Sequence, residues 1–166
     1  MINYIEKGIY LHDYISELGY SLIENDGVWE SSDDIAVQNI IDTFDPLPYA
    51  IAEAKNIIKD ASAKHRLKFV TAAAGKDAEY TYKANEADLY IADGTIGVFM
   101  QGRIDATQET PAAIAASWAA KSASWKQIGA SIAGIEDKAS IDLSNVTDFT
   151  QCKTISDSAI LALEAI

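Results

Sequence analysis

Two histidines and one cysteine are the side chains best suited to catalysis or metal binding, and their positions favour neither role. His12 and His65 fall in different predicted helices, with no Cys, Asp or Glu around them at metal-ligand spacing. Asp13 follows His12 directly, so on a helix the two side chains point apart. The chain also lacks a nucleophile elbow, a phosphate loop, a dinucleotide fingerprint and an HExxH motif. We therefore predict no enzyme, no catalytic residue, no metal and no cofactor.

Cys152 is the one cysteine, which excludes a disulfide within the chain. It lies in a polar stretch and is interpreted as a half-buried, unreactive thiol. Asn25-Asp26-Gly27, followed by Asp33 and Asp34, offers oxygen ligands for calcium, but the twelve-residue loop with alternating ligands and a terminal glutamate is absent. A tight turn at Asp26 and a helix start at Asp33 and Asp34 explain these acids better.

Charge is distributed very unevenly along the sequence. The first 45 residues hold ten acids and one lysine, Lys7, and therefore carry −9 of the formal net charge of −12. Nucleic acid and anionic membranes repel such a segment, whereas basic protein surfaces attract it. The acids are Glu6, Asp13, Glu17, Glu24, Asp26, Glu30, Asp33, Asp34, Asp42 and Asp45.

Length and composition are typical of one folded domain, or of a domain with a small appendage. The chain has 166 residues, of which 49% are apolar, so a substantial core can form. The longest apolar run, Ala112 to Ala120, is too short to span a bilayer. The N-terminus has acids where a signal peptide needs basic residues. We expect a protein that stays in the cytoplasm, or that is assembled there into something larger.

Residues 1–46 have the pattern of an α-β-β-α module. Apolar residues at helical spacing over 9–18 end at Gly19, and short strands at 20–24 and 28–30 flank the turn Asn25-Asp26-Gly27. Ser31 or Ser32 is predicted to cap the second helix, since Ser31 and Asp34 have capping-box spacing. Its predicted apolar stripe comprises Ile35, Val37, Ile40, Ile41 and Phe44.

Residues 47–166 are predicted to be an Ala-rich helical domain. Helices are expected over 49–74, interrupted at Gly75, then over 77–92, 110–140 and 155–166, with a loop or short strand in IGVFMQGRIDA. The predicted fold class is thus mostly α (α+β), with the small N-terminal α-β-β-α module followed by a three- to four-helix bundle. The first of these helices carries the one basic stretch, interpreted as a solvated face or as an internal partner of the acidic front: Lys55, Lys59, Lys64, Arg66 and Lys68.

A continuous apolar seam along residues 110–140 favours helix packing. Its small neighbours, such as Ala115, Gly129 and Ala133, would admit a second helix, so self-association through the Ile114–Ile135 seam is a possible use. The two tryptophans in the seam are interpreted as core or helix-partner contacts, because their few basic neighbours favour base stacking poorly. The seam residues are Ile114, Trp118, Trp125, Ile128, Ile132 and Ile135.

Two stretches resemble small proteins of tailed-bacteriophage tails. MINYIEKGIYLHDYISELGYSL and NDGVWESSDDIAVQNIIDTFDP, within 1–46, resemble the N-terminal module of such proteins. FVT at 69–71, GKDAEYTYKANEADLYIADG at 75–94 and an Ala-rich helix with Trp125 and Gly129 are similar to phage proteins that accompany tail fibres. The resemblance implies a tail-associated structural or assembly role and brings no catalytic or binding residue with it.

The leading hypothesis is therefore a non-enzymatic tail-fibre or baseplate-associated protein. It would act through protein–protein contacts with tail, baseplate or tail-fibre proteins, either in the virion or in the host cytoplasm during assembly, and would bind neither nucleic acid nor membrane. The candidate partner-binding residues are Trp29, Asp33, Asp34, Trp118 and Trp125.

Two other hypotheses remain open. An acidic phage inhibitor that mimics nucleic acid would use the front carboxylates to block a host defence protein, provided that they share one continuous face. A module that binds a small ligand or a carbohydrate would use a set of four aromatic residues, Tyr80, Tyr82, Tyr90 and Phe99. This hypothesis fails if those rings are buried in the helical core.

Overall fold

The computed structural model describes residues 2–69 and 76–166. These residues form seven helices and one two-stranded antiparallel sheet, which confirms a mostly α fold with a small β element near the N-terminus. In chain order the elements are α1 (Ile9–Glu17), β1 (Leu22–Asn25), β2 (Val28–Ser31), α2 (Asp34–Thr43), α3 (Leu47–Arg66), α4 (Lys76–Asp93), α5 (Val98–Thr107), α6 (Pro111–Ser144) and α7 (Thr150–Glu164).

The chain divides into two compact units. The first comprises Met1–Lys59 and Lys138–Ala159, and the second comprises Asp60–Asp137 and Ile160–Ile166. The whole predicted α-β-β-α module, residues 1–46, belongs to the first unit. Helices α3, α6 and α7 each contribute residues to both units. The predicted boundary between the module and an Ala-rich domain at residue 47 therefore stays a prediction.

Helix α1 ends where the sequence predicts. Gly19 adopts φ +84°, a left-handed conformation that side chains disfavour. The Gly19 amide donates to the Ser16 carbonyl at 2.9 Å and the Tyr20 amide to the Ile15 carbonyl at 3.1 Å, which is the Schellman pattern. Leu11 and Ile15 are buried, so this helix turns one face to the core of the module.

The predicted hairpin is confirmed. Asp26 at φ 50° and Gly27 at φ 80° form a two-residue turn of the type that matches the twist of paired strands. Asn25 is paired with Val28, and Leu22 is paired with Ser31. Because side chains alternate along a strand, Leu22 and Trp29 face inward and pack on the module core.

Helix α2 is capped by a different residue from the one predicted. Asp33, not Ser31 or Ser32, is the N-cap, and its carboxylate accepts hydrogen bonds from the amides of Ile35 and Ala36. An Asp side chain caps as well as Ser does, and the sequence offers both. The predicted apolar stripe is correct except at Ile35, whose side chain is 86% exposed in the first turn.

The core of the module includes a segment that lies outside its helices and strands. Ile2 is buried together with residues of α1 and α2 and the loop that follows α2. Gln38 fixes this N-terminal segment, because its side-chain amide accepts from the Asn3 amide at 2.7 Å and donates to the Asn3 carbonyl at 3.2 Å. The buried cluster comprises Ile2, Leu11, Ile15, Val37, Ile41 and Phe44.

The second unit contains a helix where a loop or short strand was predicted. Residues 98–107 form α5, and the Glu86 carboxylate of α4 accepts from the amides of Phe99 (3.1 Å) and Met100 (2.7 Å). A carboxylate at a helix N-terminus satisfies free amides and interacts favourably with the helix dipole. The glycines at 94, 97 and 102 favoured a loop or strand in the sequence analysis. That prediction is wrong because Glu86, in another helix, stabilises the start of α5.

The bounds of the long helices differ from the predicted ones. Helix α3 begins at Leu47, with Pro48 in its first turn where a missing amide costs little, and it ends at Arg66 rather than near 74. Residues 67–69 form a turn, while the remainder of that prediction, at 70–75, lies outside the described residues. Within the ranges described, no helix is both long and apolar enough to cross a membrane.

Replacing Asp33 with Ala should lower the free energy of unfolding by about 1 kcal/mol, because two amides of α2 lose their acceptor. Asp33→Asn is the matched control, since Asn caps helices equally well and should keep most of that stability. Urea denaturation followed by circular dichroism measures both variants. Equal stability of the Ala and Asn variants would show that Asp33 is not the working cap.

Replacing Gly27 with Ala should destabilise the chain by about 1 kcal/mol, because φ 80° is unfavourable for any side chain. Gly129→Ala is the opposite control. Gly129 lies inside α6, and an added methyl there would meet nothing within 4 Å. Thermal unfolding should therefore show a lower midpoint for Gly27→Ala and a higher one for Gly129→Ala. A Gly27 variant as stable as the parent would contradict the turn conformation.

Candidate functional site

The acidic module, residues 1–46, exposes every carboxylate it contains. All ten acids predicted to carry the charge of the front are exposed: Glu6, Asp13, Glu17, Glu24, Asp26, Glu30, Asp33, Asp34, Asp42 and Asp45. Burying an unpaired carboxylate costs several kcal/mol, so their place at the surface is the expected one. The module thus presents water and any partner with a strongly negative surface.

The single lysine of this segment does not neutralise that surface. Lys7 is half-buried, and its ammonium donates to the backbone carbonyl of Phe44 at 2.6 Å. Asp34 accepts a hydrogen bond from the Ser31 hydroxyl at 2.9 Å. Among the described residues of the first unit, the other nine acids of 1–45 form no ion pair with a lysine or arginine side chain. Lys55 and Lys59 of the predicted basic stretch are exposed in this unit.

Two apolar side chains lie on the outer face of the hairpin. This outer hairpin face consists of Ile23, Asn25, Val28 and Glu30, which alternate with the inward residues. Ile23 is 56% exposed and Val28 is 46% exposed. The Asn25 amide donates to the Glu30 carboxylate at 3.0 Å across the strand pair. The sequence interpretation missed Ile23 and Val28, although alternation from the inward Leu22 and Trp29 would have identified them.

Trp29 packs against its own module. Its ring stacks on Tyr4 with centroids 4.0 Å apart and lies 5.6 Å from the His12 ring. The Tyr4 hydroxyl lies 3.1 Å from His12 Nε2. Burial, followed by the nearby Glu6 charge, raises the pKa of Tyr4. His12 is therefore surrounded by Trp29 and Tyr4 of its own module. Trp29 is half-buried, and its contact with a partner protein stays a prediction.

Asp33 and Asp34 lie together at the start of α2 and are exposed. Both have structural roles, Asp33 as the N-cap and Asp34 as an acceptor for Ser31. Their contribution to a partner surface stays a prediction, and it would come on top of these local contacts. Asp33, Asp34 and Trp29 are all in the first unit, whereas Trp118 and Trp125 are in the second.

Most residues of the predicted seam on α6 are buried or half-buried. Ile114 and Ile132 are buried, and Trp118 is half-buried against a cluster formed by Ala87, Met100, Ile114 and Ala115. Trp125 is 38% exposed. Self-association through this helix stays a prediction, and the part of the seam that it could use is the exposed part around Trp125.

The aromatic set proposed for ligand binding is only partly buried. Tyr80 and Tyr82 are 45% and 56% exposed, and Tyr90 packs on the same cluster as Trp118. The rings of Tyr82 and Phe99 stack with centroids 5.8 Å apart and an interplanar angle of 10°. Burial therefore does not exclude the ligand-binding hypothesis.

Other reactive groups are enclosed or paired. Cys152 is buried rather than half-buried as predicted, and burial raises the pKa of its thiol, which disfavours the nucleophilic thiolate. Arg66 forms a bidentate ion pair with Glu136, with nitrogen–oxygen distances of 3.0 and 2.6 Å, and this pair lowers the pKa of Glu136. In the described ranges no group of three His, Cys, Asp or Glu side chains lies close enough to hold a metal ion.

Tyr10 should make stability depend on pH in alkaline solution. Burial, together with a hydrogen bond to the Glu53 carboxylate, raises its pKa to about 12. Above pH 10 the unfolded chain loses this proton while the folded chain keeps it, so the free energy of unfolding should fall between pH 10 and 12. Tyr10→Phe should flatten that decline when denaturation is measured at pH 9, 10.5 and 11.5.

The exposed Tyr82 supplies the control for this experiment, since Tyr82→Phe also removes one phenol. The Tyr82 variant should lose stability with pH as the parent does. An identical decline in the parent and in both variants would contradict the role of the Tyr10 hydroxyl.

The comparisons with known proteins add no relative to this description. No protein-family model matches the chain, and neither a curated protein nor a solved structure does.

Proposed function

We propose that this chain is a non-enzymatic protein of a bacteriophage tail, associated with the tail fibre or baseplate. It acts through protein–protein contacts with tail, baseplate or fibre proteins, either as a structural component of the virion or as a fibre assembly factor present in the host cytoplasm. The resemblance of residues 1–46 and 69–139 to small tail proteins suggests this setting. The surface of the acidic module supports the mode of action.

The observation that carries the proposal is the exposure of all ten carboxylates of the module. The one lysine among them, Lys7, donates a hydrogen bond to the Phe44 carbonyl rather than to a carboxylate. Charges of one sign on a surface steer a protein toward a partner of the opposite sign and disfavour wrong partners. The partner is therefore expected to present lysines and arginines.

The outer hairpin face suggests where the contact is centred. Ile23 and Val28 supply exposed apolar area, and Glu30 on the same face supplies charge. Protein interfaces commonly combine an apolar centre with a polar, water-accessible rim. The expected partner surface therefore has a shallow apolar depression that contacts Ile23 and Val28, with basic residues around it that pair with Glu30.

Quantitative mass spectrometry of purified phage particles from the source lysate tests the proposed setting. A fixed, low ratio of this chain to the major tail protein supports a structural component. Abundance in the lysate with absence from particles, together with capture of a tail-fibre protein, supports an assembly factor. Capture of a host nucleic-acid-binding protein instead, with strongly salt-dependent affinity, would overturn the tail assignment in favour of the inhibitor hypothesis.

Reversing three charges of the module tests the mode of contact. The triple variant Glu17→Lys, Glu24→Lys and Glu30→Lys should weaken binding to the captured tail or fibre protein by about tenfold at low salt, which is roughly 1.4 kcal/mol. The difference should shrink at 0.5 M NaCl because salt screens exposed charges. Surface plasmon resonance against the purified partner measures both affinities.

The matched control reverses three exposed acids outside the module, Asp60→Lys, Asp88→Lys and Asp137→Lys, which changes the net charge equally. This control should bind nearly as the parent does. Equal losses in the two triple variants would mean that total charge alone matters, and the acidic module would not be the docking surface.

A further inference from the structure

We propose that a cavity in the second unit, between α4, α5 and α6, binds a small organic monoanion with a flat apolar body, such as an aromatic carboxylate. The cavity has a volume of about 480 Å³, within the range of roughly 300–1,000 Å³ typical of small-molecule sites. All of its lining residues belong to the second unit. This site is separate from the acidic module and does not depend on the tail function.

One wall of the cavity is apolar and aromatic. Trp118 of α6 and the residues Val98 and Phe99 of α5 are among the lining residues. Trp118 is half-buried against the cluster around Met100, which holds its ring in place. Phe99 is 39% exposed and is stacked on Tyr82. Flat apolar ligands gain from burial against such rings.

The chain itself holds this wall in position. Glu86 of α4 caps the start of α5 through the amides of Phe99 and Met100. Gly97 leaves the room for that carboxylate, because a methyl group at Gly97 would meet the Glu86 side chain at 2.1 Å. The apolar wall is thus fixed to α4 before any ligand binds, which lowers the entropic cost of binding.

Three cations from three helices line the same cavity, Lys83, Arg103 and Lys121. Lys83 is paired with Glu79 and lies 5.6 Å from the centre of the Trp118 ring, and Arg103 is paired with Glu109 at the cavity. Among the described residues Lys121 forms no ion pair. The lining therefore holds one uncompensated positive charge, in a chain whose net charge is −12.

The charge and shape together define the ligand class. One uncompensated cation beside two satisfied ion pairs matches a single negative charge better than a di- or trianion. The aromatic wall favours a ligand with a planar apolar body over an inorganic ion. A monocarboxylate on an aromatic ring meets both requirements, with its charge toward Lys121 and its ring against Trp118.

Titration of the full chain with 2-naphthoate, followed by two-dimensional ¹H–¹⁵N NMR, tests the proposal. The three tryptophan indole N–H signals report on three places, and Trp118→Phe assigns the one in the cavity. We expect the Trp118 signal to shift and saturate while the Trp29 and Trp125 signals stay in place. Neutral 2-naphthamide should bind about fivefold more weakly, which corresponds to one exposed charge interaction.

Two variants and one control make the test specific. Lys121→Gln should weaken 2-naphthoate binding about fivefold and leave 2-naphthamide unchanged. Gly102→Leu should weaken the binding of both ligands, since Gly102 lines the cavity and a side chain added there can occupy part of its space. Lys126→Gln, on the same helix but outside the cavity, should bind as the parent does.

No saturable shift of the Trp118 signal would overturn the proposal. Equal shifts of all three indole signals, or equal affinities for the acid and the amide, would overturn it too. If Gly102→Leu fails to fold, the comparison of Lys121→Gln with Lys126→Gln still decides the outcome, because both replace an exposed lysine with a residue that tolerates a helix.

Discussion

An ionised carboxylate without a cationic partner has to stay in water, and this constraint shapes the acidic module. Ten acids face one lysine in the first 45 residues. Internal pairing cannot neutralise them, so each must lie at the surface, and each does. The core must then come from the remaining residues of a very short segment. This explains why Ile2, outside the helices and strands, is buried together with α1 and α2.

Aromatic rings supply the apolar volume that so small a module otherwise lacks. Tyr14 stacks on Phe44 with centroids 5.1 Å apart, and Phe44 lies 5.2 Å from the Tyr49 ring of α3. Tyr4 and Trp29 form the stack beneath the hairpin. The inward face of the hairpin packs on this aromatic core, whereas Ile23 and Val28 on the outer hairpin face stay exposed. In the second unit a carboxylate has a different role, since the half-buried Glu86 of α4 caps the start of α5.

Local signals explain which parts of the fold the sequence predicts. Positive-φ glycines at Gly19 and Gly27 and strong apolar periodicity identify α1, the hairpin and most of α2, since these features act within a few residues. Helix α5 was missed because its cap comes from Glu86, thirteen residues away in α4. Ile114 and Trp118 were correctly predicted as packing residues, but periodicity does not reveal which helices cover them. The sequence did not predict the cavity either, because its lining residues Lys83, Arg103 and Lys121 come from three different helices.

The dependence of stability on salt tests most directly the claim that repulsion between the exposed carboxylates dominates the electrostatics of the acidic module. Free energies of unfolding from urea denaturation at 0.02, 0.1 and 0.3 M NaCl would measure it. Screening weakens repulsion between like charges, so we expect stability to rise with salt, and to rise less in the variant with Glu17, Glu24 and Glu30 changed to Gln. Stability that falls with salt in the parent chain would mean that attractive ion pairs dominate, and the account of an acidic module governed by repulsion between its carboxylates would be wrong.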